Sequence, residues 1–349
     1  MSWHGIEGHN EIVEQFRRAV RRRRLASSFL FVGPEGVGKR TFALRLAQAL
    51  LCDTRPEDAL DPCGKCPACL QVVAGSHPDV HVVSKPPDKS LLPLELFLGP
   101  KERRGREGLC YEISLRPYSG KRRIAVIDDA DLLNIEGANA LLKTLEEPPP
   151  GSILVLVGTS PAKQLPTIRS RCQVVRFGRL PRETVAGLLS REGVLDDPSQ
   201  ASHVAQHCEG SLARALELTD PELWSFRSTL FTRLAAPELD AIDLAKAISS
   251  FVDAAGKTAP PRRARLRQIV RFAAQFYRQL LLTQHGAGDD DDEPLQRLVG
   301  QALATGDTDG QRALFRLERC LTAAEQIERN ANQATLIECW TDDLAAAYS

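Results

Sequence analysis

The sequence predicts an α/β domain built on a parallel sheet, followed by two helical domains. Short apolar runs rich in β-branched residues alternate with helical patterns as far as residue 178. Beyond it the β-rich runs stop, and short helical patterns broken by Pro and Gly continue to residue 220. The pattern is then helical to residue 349, with breaks at residues 260–261 and 286–293. We therefore expect domains at 1–178, 179–220 and 221–349, a length that suits two or three domains at ~100–200 residues each.

The first domain carries five predicted strands. They are residues 28–32, 80–83, 123–127, 153–157 and 173–177. Between them, apolar residues recur at helical spacing over residues 11–24 and 41–51, and more briefly over 138–145. Strands that alternate with helices are typical of a parallel sheet covered by helices.

Charge and hydropathy exclude several classes of protein. The 45 Lys and Arg are balanced by 45 Asp and Glu, so no overall basic field indicates nucleic acid, and any DNA contact must be local. Arg17, Arg18 and residues 21–24 form one basic cluster without interleaved aromatics, which favours a solvated face or partner contact over DNA. The apolar stretches are far shorter than the ~20 residues of a membrane span, and the first residues lack a secretory signal. We expect a cytoplasmic protein.

A glycine-rich loop follows the first strand and leads into a helix, which is the setting of a Walker A phosphate loop rather than of a simple glycine turn. Its backbone N–H groups can face phosphate oxygens, and Lys39 can reach the β and γ phosphates. The next position should hold Mg²⁺ through a Ser or Thr hydroxyl, but it is Arg40, and Thr41 comes one residue late, rotated by ~100° around the helix. We predict ATP binding that is possible but weak, with Mg²⁺ poorly held. The predicted nucleotide-binding residues are Gly33, Gly36, Gly38, Lys39, Arg40 and Thr41.

Two adjacent carboxylates end the third strand, as in a Walker B segment. Asp128 is predicted to hold the metal through water, and Asp129 takes the position of the catalytic base. A Glu is usual there. Asp is one methylene shorter, and a misplacement of about an ångström can lower the rate ~10²-fold. The alternative is a pair of acidic residues that simply face solvent.

Four of the nine cysteines lie within residues 52–69. Cys63, Cys66 and Cys69 have Cys-x₂-Cys-x₂-Cys spacing, and Cys52 ends the preceding helix. Four sulfurs suit tetrahedral Zn²⁺ without an open position, so we predict a structural zinc module, with an iron–sulfur cluster or unligated thiols as alternatives. The cysteines predicted to be buried thiols without ligand spacing are Cys110, Cys172, Cys208, Cys320 and Cys339.

Taken together, the motifs resemble the bacterial clamp-loader branch of the AAA+ ATPases over nearly the whole chain. In order, they are the glycine loop, the cysteine insertion, His77-Pro78-Asp79, the strand that ends at 128–131, the Leu-Leu-Lys-Thr-Leu-Glu-Glu-Pro-Pro run of residues 141–149, Thr159 and Ser170-Arg171-Cys172. The 141–149 run and the Ser-Arg-Cys are the most specific. The resemblance implies an AAA+ P-loop domain, a small helical lid at 179–220 and an all-α collar at 221–349 that holds a hetero-oligomer together.

The resemblance also implies roles for single residues. Arg171 would be an arginine finger that reaches the nucleotide of a neighbouring subunit, with a structural salt bridge at the base of the following strand as the alternative. Thr159 would be sensor 1, and residues 5–9 would lie against the adenine. Two subunit types share the pattern, the γ/τ motor subunits and the δ′ type. Motor subunits carry Thr at the position of Arg40 and a sensor 2 Arg at the position of Ala213, whereas here Arg214 comes one residue late. The departures favour the δ′ type of DNA polymerase III, with weak or absent ATPase activity of its own.

The expected function is to help open the sliding clamp and load it on primed DNA during replication. The expected partners are the γ/τ and δ subunits, the clamp indirectly, and primer–template DNA within the complex. The alternatives are a γ/τ-type motor that hydrolyses ATP itself and a zinc-dependent DNA-binding protein, which zero net charge disfavours. The basic segment 92–109 is expected to be a mobile surface loop, and the acidic run 289–292 a solvated loop.

Overall fold

The computed structural model describes residues 3–86, 89–119, 121–287, 292–305 and 310–346. The chain forms two compact units, Met1–Thr219 and Asp220–Ser349. The predicted boundary after residue 178 lies inside the first unit, and the division into three domains stays a prediction. Across the described residues, no helix combines the length and the apolar character that a membrane span requires.

The predicted α/β domain with its parallel sheet is confirmed in the first unit. The strands are β1 Ser28–Val32, β2 Val80–Val83, β3 Arg123–Ile127, β4 Ser152–Val157 and β5 Gln173–Arg176. They pair in the order β2-β3-β4-β1-β5, all parallel, and Phe29 of β1 lies opposite Val155 and Gln173. Every residue of β1, β3 and β4 is buried, as expected for a parallel sheet covered on both faces.

Helices lie between the strands of the first unit along the chain and continue beyond the last strand. They are α1 Asn10–Arg21, α2 Lys39–Leu51, α3 Pro67–Ala74, α4 Glu95–Leu98, α5 Leu109–Ser114, α6 Ile135–Glu146, α7 Pro166–Arg169, α8 Arg182–Arg191, α9 Pro198–His207 and α10 Leu212–Glu217. Short 3-10 turns cover Glu57–Ala59, Lys101–Arg103, Ala130–Leu132 and Pro161–Lys163. Because strand side chains alternate, Phe29 and Phe31 join one hydrophobic cluster with α1 and α2, whereas Leu30 and Val32 join a second with α6.

The segment 92–109 is folded, so the expectation of a mobile surface loop is wrong. Leu92, Phe97 and Leu109 are buried in the second hydrophobic cluster. The N–H of Leu92 also donates to the Leu132 carbonyl over 3.0 Å. The basic residues at 101–106 stay exposed between these anchors. Three apolar side chains that reach the core therefore outweigh the basic composition of the stretch between them.

Asp79, the last residue of the His-Pro-Asp motif, holds the edge strand β2 in place. Its carboxylate is fully buried and accepts hydrogen bonds from the backbone N–H groups of Tyr118 (2.6 Å) and Ser119 (2.8 Å). The Arg123 Nε lies 3.6 Å from the same carboxylate. The motif therefore has a structural task in this chain, which is to tie the loop before β3 to the start of β2.

The second unit is helical in the residues described. Its helices are α11 Pro221–Leu234, α12 Ala241–Ala254, α13 Ala259–Gln284, α14 Glu293–Ala304, α15 Gly310–Glu328 and α16 Gln333–Ala345. The predicted break at 260–261 falls in the first turn of α13, where proline is tolerated because that N–H has no helical partner. Residues 289–291 of the acidic run lie outside the described residues. The expectation of a solvated loop is wrong for Asp292, which is buried, pairs with Arg227 and caps α14.

Candidate functional site

The glycine loop at the carboxyl end of β1 adopts a shape that only glycine permits at two of its positions. Gly33 has a φ of +147°, and a Cβ there would lie 2.2 Å from the Phe177 carbonyl oxygen. Gly36 has a φ of +71°, and a Cβ there would lie 2.3 Å from the Ser211 Oγ. Lys39 begins α2, and its Nζ donates to the carbonyls of Gly33 (2.7 Å) and Pro34 (2.5 Å). These two hydrogen bonds fix the Lys39 ammonium group against the backbone of the phosphate loop.

Electrostatics around Lys39 reflect its position inside the loop. Its side chain is buried, and burial lowers the pKa of Lys39, although Glu35 and then Asp131 and Asp128 act to raise it. A partly desolvated ammonium group that donates to carbonyl oxygens favours an anion beside it. The backbone and Lys39 together are therefore suited to a phosphate group.

Arg40, at the position of the missing hydroxyl, pairs with the first Walker B carboxylate. Its Nε lies 3.5 Å from the Asp128 Oδ2, with side chains 52% and 19% exposed. Burial raises the pKa of Asp128 and Asp129 adds to that rise, while Arg40 and Lys39 oppose it. Thr41, one residue further on, is exposed. Sequence reasoning missed this pairing, because nothing in the pattern shows that a residue on α2 reaches the end of β3.

The second predicted carboxylate faces a different group. Asp129 has a left-handed backbone, with a φ of +55°, and its N–H donates to the Asp128 Oδ1 over 3.1 Å. Its Oδ2 accepts from the backbone N–H of Lys85 at 3.3 Å. The residue predicted to hold the metal and the residue predicted to be the base are therefore adjacent, and Asp129 is hydrogen-bonded to Lys85, which follows β2.

Thr159, predicted as sensor 1, is bound to a third acidic residue. Its backbone N–H donates to the Asp131 Oδ2 over 2.8 Å, and its hydroxyl donates to the same oxygen. Gln164 Nε2 donates to the other oxygen at 3.0 Å. A Cβ on Gly158 would lie 2.4 Å from that oxygen, so the strand end and Asp131 are closely packed. Asp131 was given no role from the sequence, and its only signal was its place after the Walker B strand.

Ala213 occupies the position next to the phosphate loop that sensor 2 would take. The Leu212 N–H donates to the Gly36 carbonyl over 2.9 Å, and a Cβ on Gly36 would lie 2.6 Å from the Ala213 Cβ. Arg214, one residue later, instead pairs with Glu209 at 2.7 Å. The start of α10 therefore contacts the loop with a methyl group, and the nearest arginine in sequence is directed to another partner.

Residues 5–9, predicted to lie against the adenine, pack beside the same loop. His9 is buried, its Nε2 hydrogen-bonds the Val37 carbonyl over 2.8 Å, and its ring meets Phe177 edge-on at 4.9 Å. Burial lowers the pKa of His9, the Val37 carbonyl opposes this, and Lys39 lowers it further. Ile6 is also buried. The role of this segment toward a base stays a prediction.

Arg171 lies at the opposite end of β5 from the phosphate loop. It is exposed between α7 and β5, and its Nη1 donates to the Thr167 carbonyl at 3.0 Å. Its Nη2 lies 2.6 Å from a carboxylate oxygen of Glu146, in the predicted family-specific run. The phosphate loop lies beside Phe177, whose N–H donates to the Val32 carbonyl at the end of β1. Phe177 is four residues, or about 13 Å, beyond the first residue of β5, and Arg171 precedes that strand.

The four cysteines predicted as metal ligands meet in one cluster. Their sulfur atoms all lie within 4.8 Å of one another. The sulfurs of Cys52 and Cys66 are 3.9 Å apart, as are those of Cys63 and Cys69. A tetrahedral ion with metal–sulfur bonds of about 2.3 Å would place its ligands about 3.8 Å apart. The four thiols are therefore positioned to hold a metal ion.

Backbone N–H groups point at these sulfurs. The N–H of Cys66 donates to Cys63 at 3.2 Å, and that of Cys69 donates to Cys66 at 3.4 Å. The Thr54 hydroxyl and nearby backbone donors lower the pKa of Cys63 to about 5, while burial raises the pKa of Cys69. Donors of this kind favour a thiolate, which is the form that binds metal.

The cysteine module is anchored to the sheet domain at two points. Gln48 of α2 is buried, and its Nε2 donates to the Cys69 carbonyl over 3.0 Å. The buried Trp3 donates its indole N–H to the Leu60 carbonyl at 2.9 Å, and its ring lies 5.2 Å from Phe42. The insertion thus packs on α2 and the amino-terminal segment.

The remaining five cysteines differ in exposure. The prediction of buried thiols is confirmed for Cys172, Cys208 and Cys320. It is wrong for Cys339, which is exposed, and Cys110 is only half-buried. The buried positions of α16 include Leu336, Ile337, Trp340 and Leu344, and this helical spacing leaves Cys339 on the exposed face.

Comparisons with known proteins agree with the predicted resemblance. The family profile described as DNA polymerase III, delta subunit, matches residues 8–181. DNA polymerase III subunit delta′ of Pseudomonas aeruginosa is 35% identical over 176 residues, 50% of each chain. Subunit delta′ of Bacillus subtilis is 30% identical over 220 residues (63% of this chain, 62% of the relative), and its subunit tau is 30% identical over 219 residues (62% and 36%).

The chain thus spans 36 to 62% of the length of these curated relatives. A solved DNA polymerase III gamma subunit-related protein from Thermotoga maritima is 16% identical, with a TM-score of 0.40 over 96% of this chain and 99% of that one, too low a similarity to bear on function. The sequence relationship covers the glycine loop, the cysteine cluster and Arg171. The chain belongs to the clamp-loader subunits of DNA polymerase III, within the AAA+ family.

Proposed function

We propose that this chain is a δ′-type clamp-loader subunit that donates Arg171 to the nucleotide site of a neighbouring subunit. In this role it works with γ/τ and δ subunits to open the sliding clamp and place it on primer–template DNA. The observation that carries the proposal is the position of Arg171, exposed at the end of β5 that lies farthest from the chain's own phosphate loop. A guanidinium there is of use to another subunit's phosphate, since an arginine supplied in trans contributes ~10³ to 10⁵ in rate.

Weak nucleotide chemistry in the chain itself supports the same role. Arg40 replaces the hydroxyl that holds Mg²⁺, Ala213 replaces the sensor 2 cation, and Asp129 is shorter than the usual base. The defects act on different parts of the reaction, so they compound. The loop keeps the geometry and the Lys39 cation needed to hold a nucleotide, and we expect it to hold one without turning it over.

A structural Zn²⁺ in the cysteine cluster is part of this proposal. Cys52, Cys63, Cys66 and Cys69 would hold the ion, which would fix an insertion too small to bury a core of its own. All four positions of a tetrahedral ion would be taken by sulfur, leaving none for water or substrate. The module therefore supports the fold of the domain.

The deciding experiment compares three variants in a complex reconstituted with the other clamp-loader subunits. Arg171→Ala should lower turnover at the neighbouring site by ~10³-fold or more and should reduce clamp loading on primed DNA. Lys39→Ala should do much less. Arg169→Ala removes an exposed arginine two residues away and serves as the matched control. If Lys39→Ala is the damaging change and Arg171→Ala is silent, the chain is not a δ′-type subunit.

The second candidate is a γ/τ-type motor that hydrolyses ATP itself. It is favoured by the intact loop geometry, in which Lys39 is in place across the glycine turn. A turnover number of ~1 s⁻¹ or above for the isolated chain, in the range of ordinary enzymes, would favour this candidate.

A further inference from the structure

We infer that the phosphate loop is a metal-independent site for a nucleoside di- or triphosphate, in which the Arg40 guanidinium takes the place of Mg²⁺. The inference rests on the proposed function only in taking the loop as a nucleotide site, and it does not require Arg171 to act in trans. It gives a binding role to Arg40, the residue that departs most plainly from the Walker A pattern. Arg40 is then a ligand for phosphate and not only the loss of a metal ligand.

The geometry places Arg40 where the metal would be. In a P-loop protein Mg²⁺ lies between the hydroxyl that follows the lysine and the Walker B carboxylate. Here the side chain at the hydroxyl position reaches that carboxylate directly, with the Arg40 Nε 3.5 Å from the Asp128 Oδ2. One cation thus already bridges the two positions between which the ion is normally held.

Charge and coordination then oppose a second cation. Mg²⁺ requires oxygen ligands at about 2.0–2.1 Å in a strict octahedron, and a guanidinium offers only donors. An ion beside Asp128 would meet the positive charges of Arg40 and Lys39, and it would compete with the Arg40 guanidinium for the Asp128 Oδ2. Asp129 is engaged as well, because its Oδ2 accepts a hydrogen bond from the Lys85 backbone N–H. Of the two protein oxygens that Mg²⁺ usually has in a phosphate loop, the hydroxyl is replaced by Arg40 and the Asp128 Oδ2 is paired with that arginine.

A phosphate, in contrast, fits the donors that are left. Arg40 meets Asp128 through Nε, and the guanidinium carries four further N–H groups in a planar fork that matches phosphate oxygens. Its side chain is 52% exposed, so it can turn toward a ligand above the loop. Lys39 and the glycine-shaped backbone supply the rest of the anion site. Two monovalent cations would then neutralise the nucleotide in place of one lysine and a metal ion.

Nucleotide binding by the full chain, measured calorimetrically with ADP and ATP in EDTA and again in excess Mg²⁺, tests the inference. For the wild-type chain we expect binding in EDTA that Mg²⁺ does not strengthen. Arg40→Thr, which restores the usual hydroxyl, should weaken binding in EDTA about tenfold and should make binding depend on Mg²⁺ by a similar factor. Thermal unfolding of the variant verifies that it is folded.

Two further variants give the controls. Thr41→Ala tests whether the neighbouring hydroxyl holds a metal ion: a tenfold loss of affinity confined to the Mg²⁺ condition would assign the metal to Thr41 and would overturn the inference. Lys39→Ala should abolish binding in both conditions, which locates the ligand in the loop. The inference is overturned if wild-type affinity rises tenfold or more with Mg²⁺, or if no nucleotide binds in either condition. Either result, combined with a complex still crippled by Arg171→Ala, would leave the proposed function standing.

Discussion

Replacing Gly36 by alanine tests the contact between the phosphate loop and the start of α10. The left-handed φ of +71° costs an L-residue about 1–2 kcal/mol. The new Cβ would lie 2.3 Å from the Ser211 Oγ and 2.6 Å from the Ala213 Cβ, so α10 must retreat. That movement would break the 2.9 Å bond from the Leu212 N–H to the Gly36 carbonyl, worth about 0.5–1.5 kcal/mol. We expect a loss of about 1.5–3.5 kcal/mol in the free energy of unfolding, or roughly 3–14 °C in the melting temperature of the first unit.

Gly38→Ala is the matched control, because the two glycines share the loop and a positive φ. Gly38 has a φ of +92°, but nothing lies within 4 Å of the Cβ position. Gly38→Ala should lose only the free energy that a positive φ costs an L-residue. Limited trypsin digestion should distinguish this variant from Gly36→Ala. Cleavage after Arg214, which is 12% exposed in α10, should accelerate in Gly36→Ala and stay slow in Gly38→Ala. Equal melting temperatures and equal digestion of the two variants would refute the contact.

Three further predictions follow from the site and the fold. Replacing Cys63 and Cys66 together by serine should remove about one equivalent of bound zinc per chain and should make residues 52–69 accessible to proteases. Cys339→Ser is the control and should leave the zinc content unchanged. Zinc retained by the double variant would contradict the assignment. Burial alone would raise the pKa of Asp79, but hydrogen bonds from Ser119 and Tyr118 lower this pKa below its usual value. The Asp79 carboxylate therefore stabilises the folded chain above about pH 4, and this contribution is lost as the pH falls through the lowered pKa. Urea unfolding from pH 7 to 3 should show the stability gap between wild type and Asp79→Asn closing below about pH 4, and a constant gap would count against it. The isolated chain should hydrolyse ATP well below ~1 s⁻¹, and Arg40→Thr alone should not restore turnover in a phosphate-release assay.

Strand positions were predictable because each buried strand is a short local run of apolar residues. β1, β2 and β3 have the predicted bounds, and the ends of β4 and β5 differ by one residue. The order β2-β3-β4-β1-β5 did not follow from periodicity, since it depends on which strands pair across long stretches of chain. The cysteine cluster was predictable for the same reason as the strand positions, because the spacing of three of its four ligands is local.

Contacts between distant residues set the limit of prediction in the site. Arg40 and Asp128 could each be assigned from its own motif, but their pairing depends on how α2 lies over the end of β3. The role of Asp131 in binding Thr159 depends in the same way on the adjacent ends of β3 and β4. In segment 92–109, basic composition concealed the spacing of Leu92, Phe97 and Leu109, because those anchors contact the core without a regular period.

The position of Trp3 gives the chain a natural fluorescent reporter. Of the three tryptophans in the sequence, Trp224 and Trp340 belong to the second unit, so Trp3 alone reports on the first. Its indole N–H is bonded to Leu60, inside the stretch that links Cys52 to Cys63. A change in that stretch alters the hydrogen bond and the polarity around the ring, and hence the emission. With both other tryptophans replaced by phenylalanine, emission from Trp3 would follow metal capture in real time, without an attached dye.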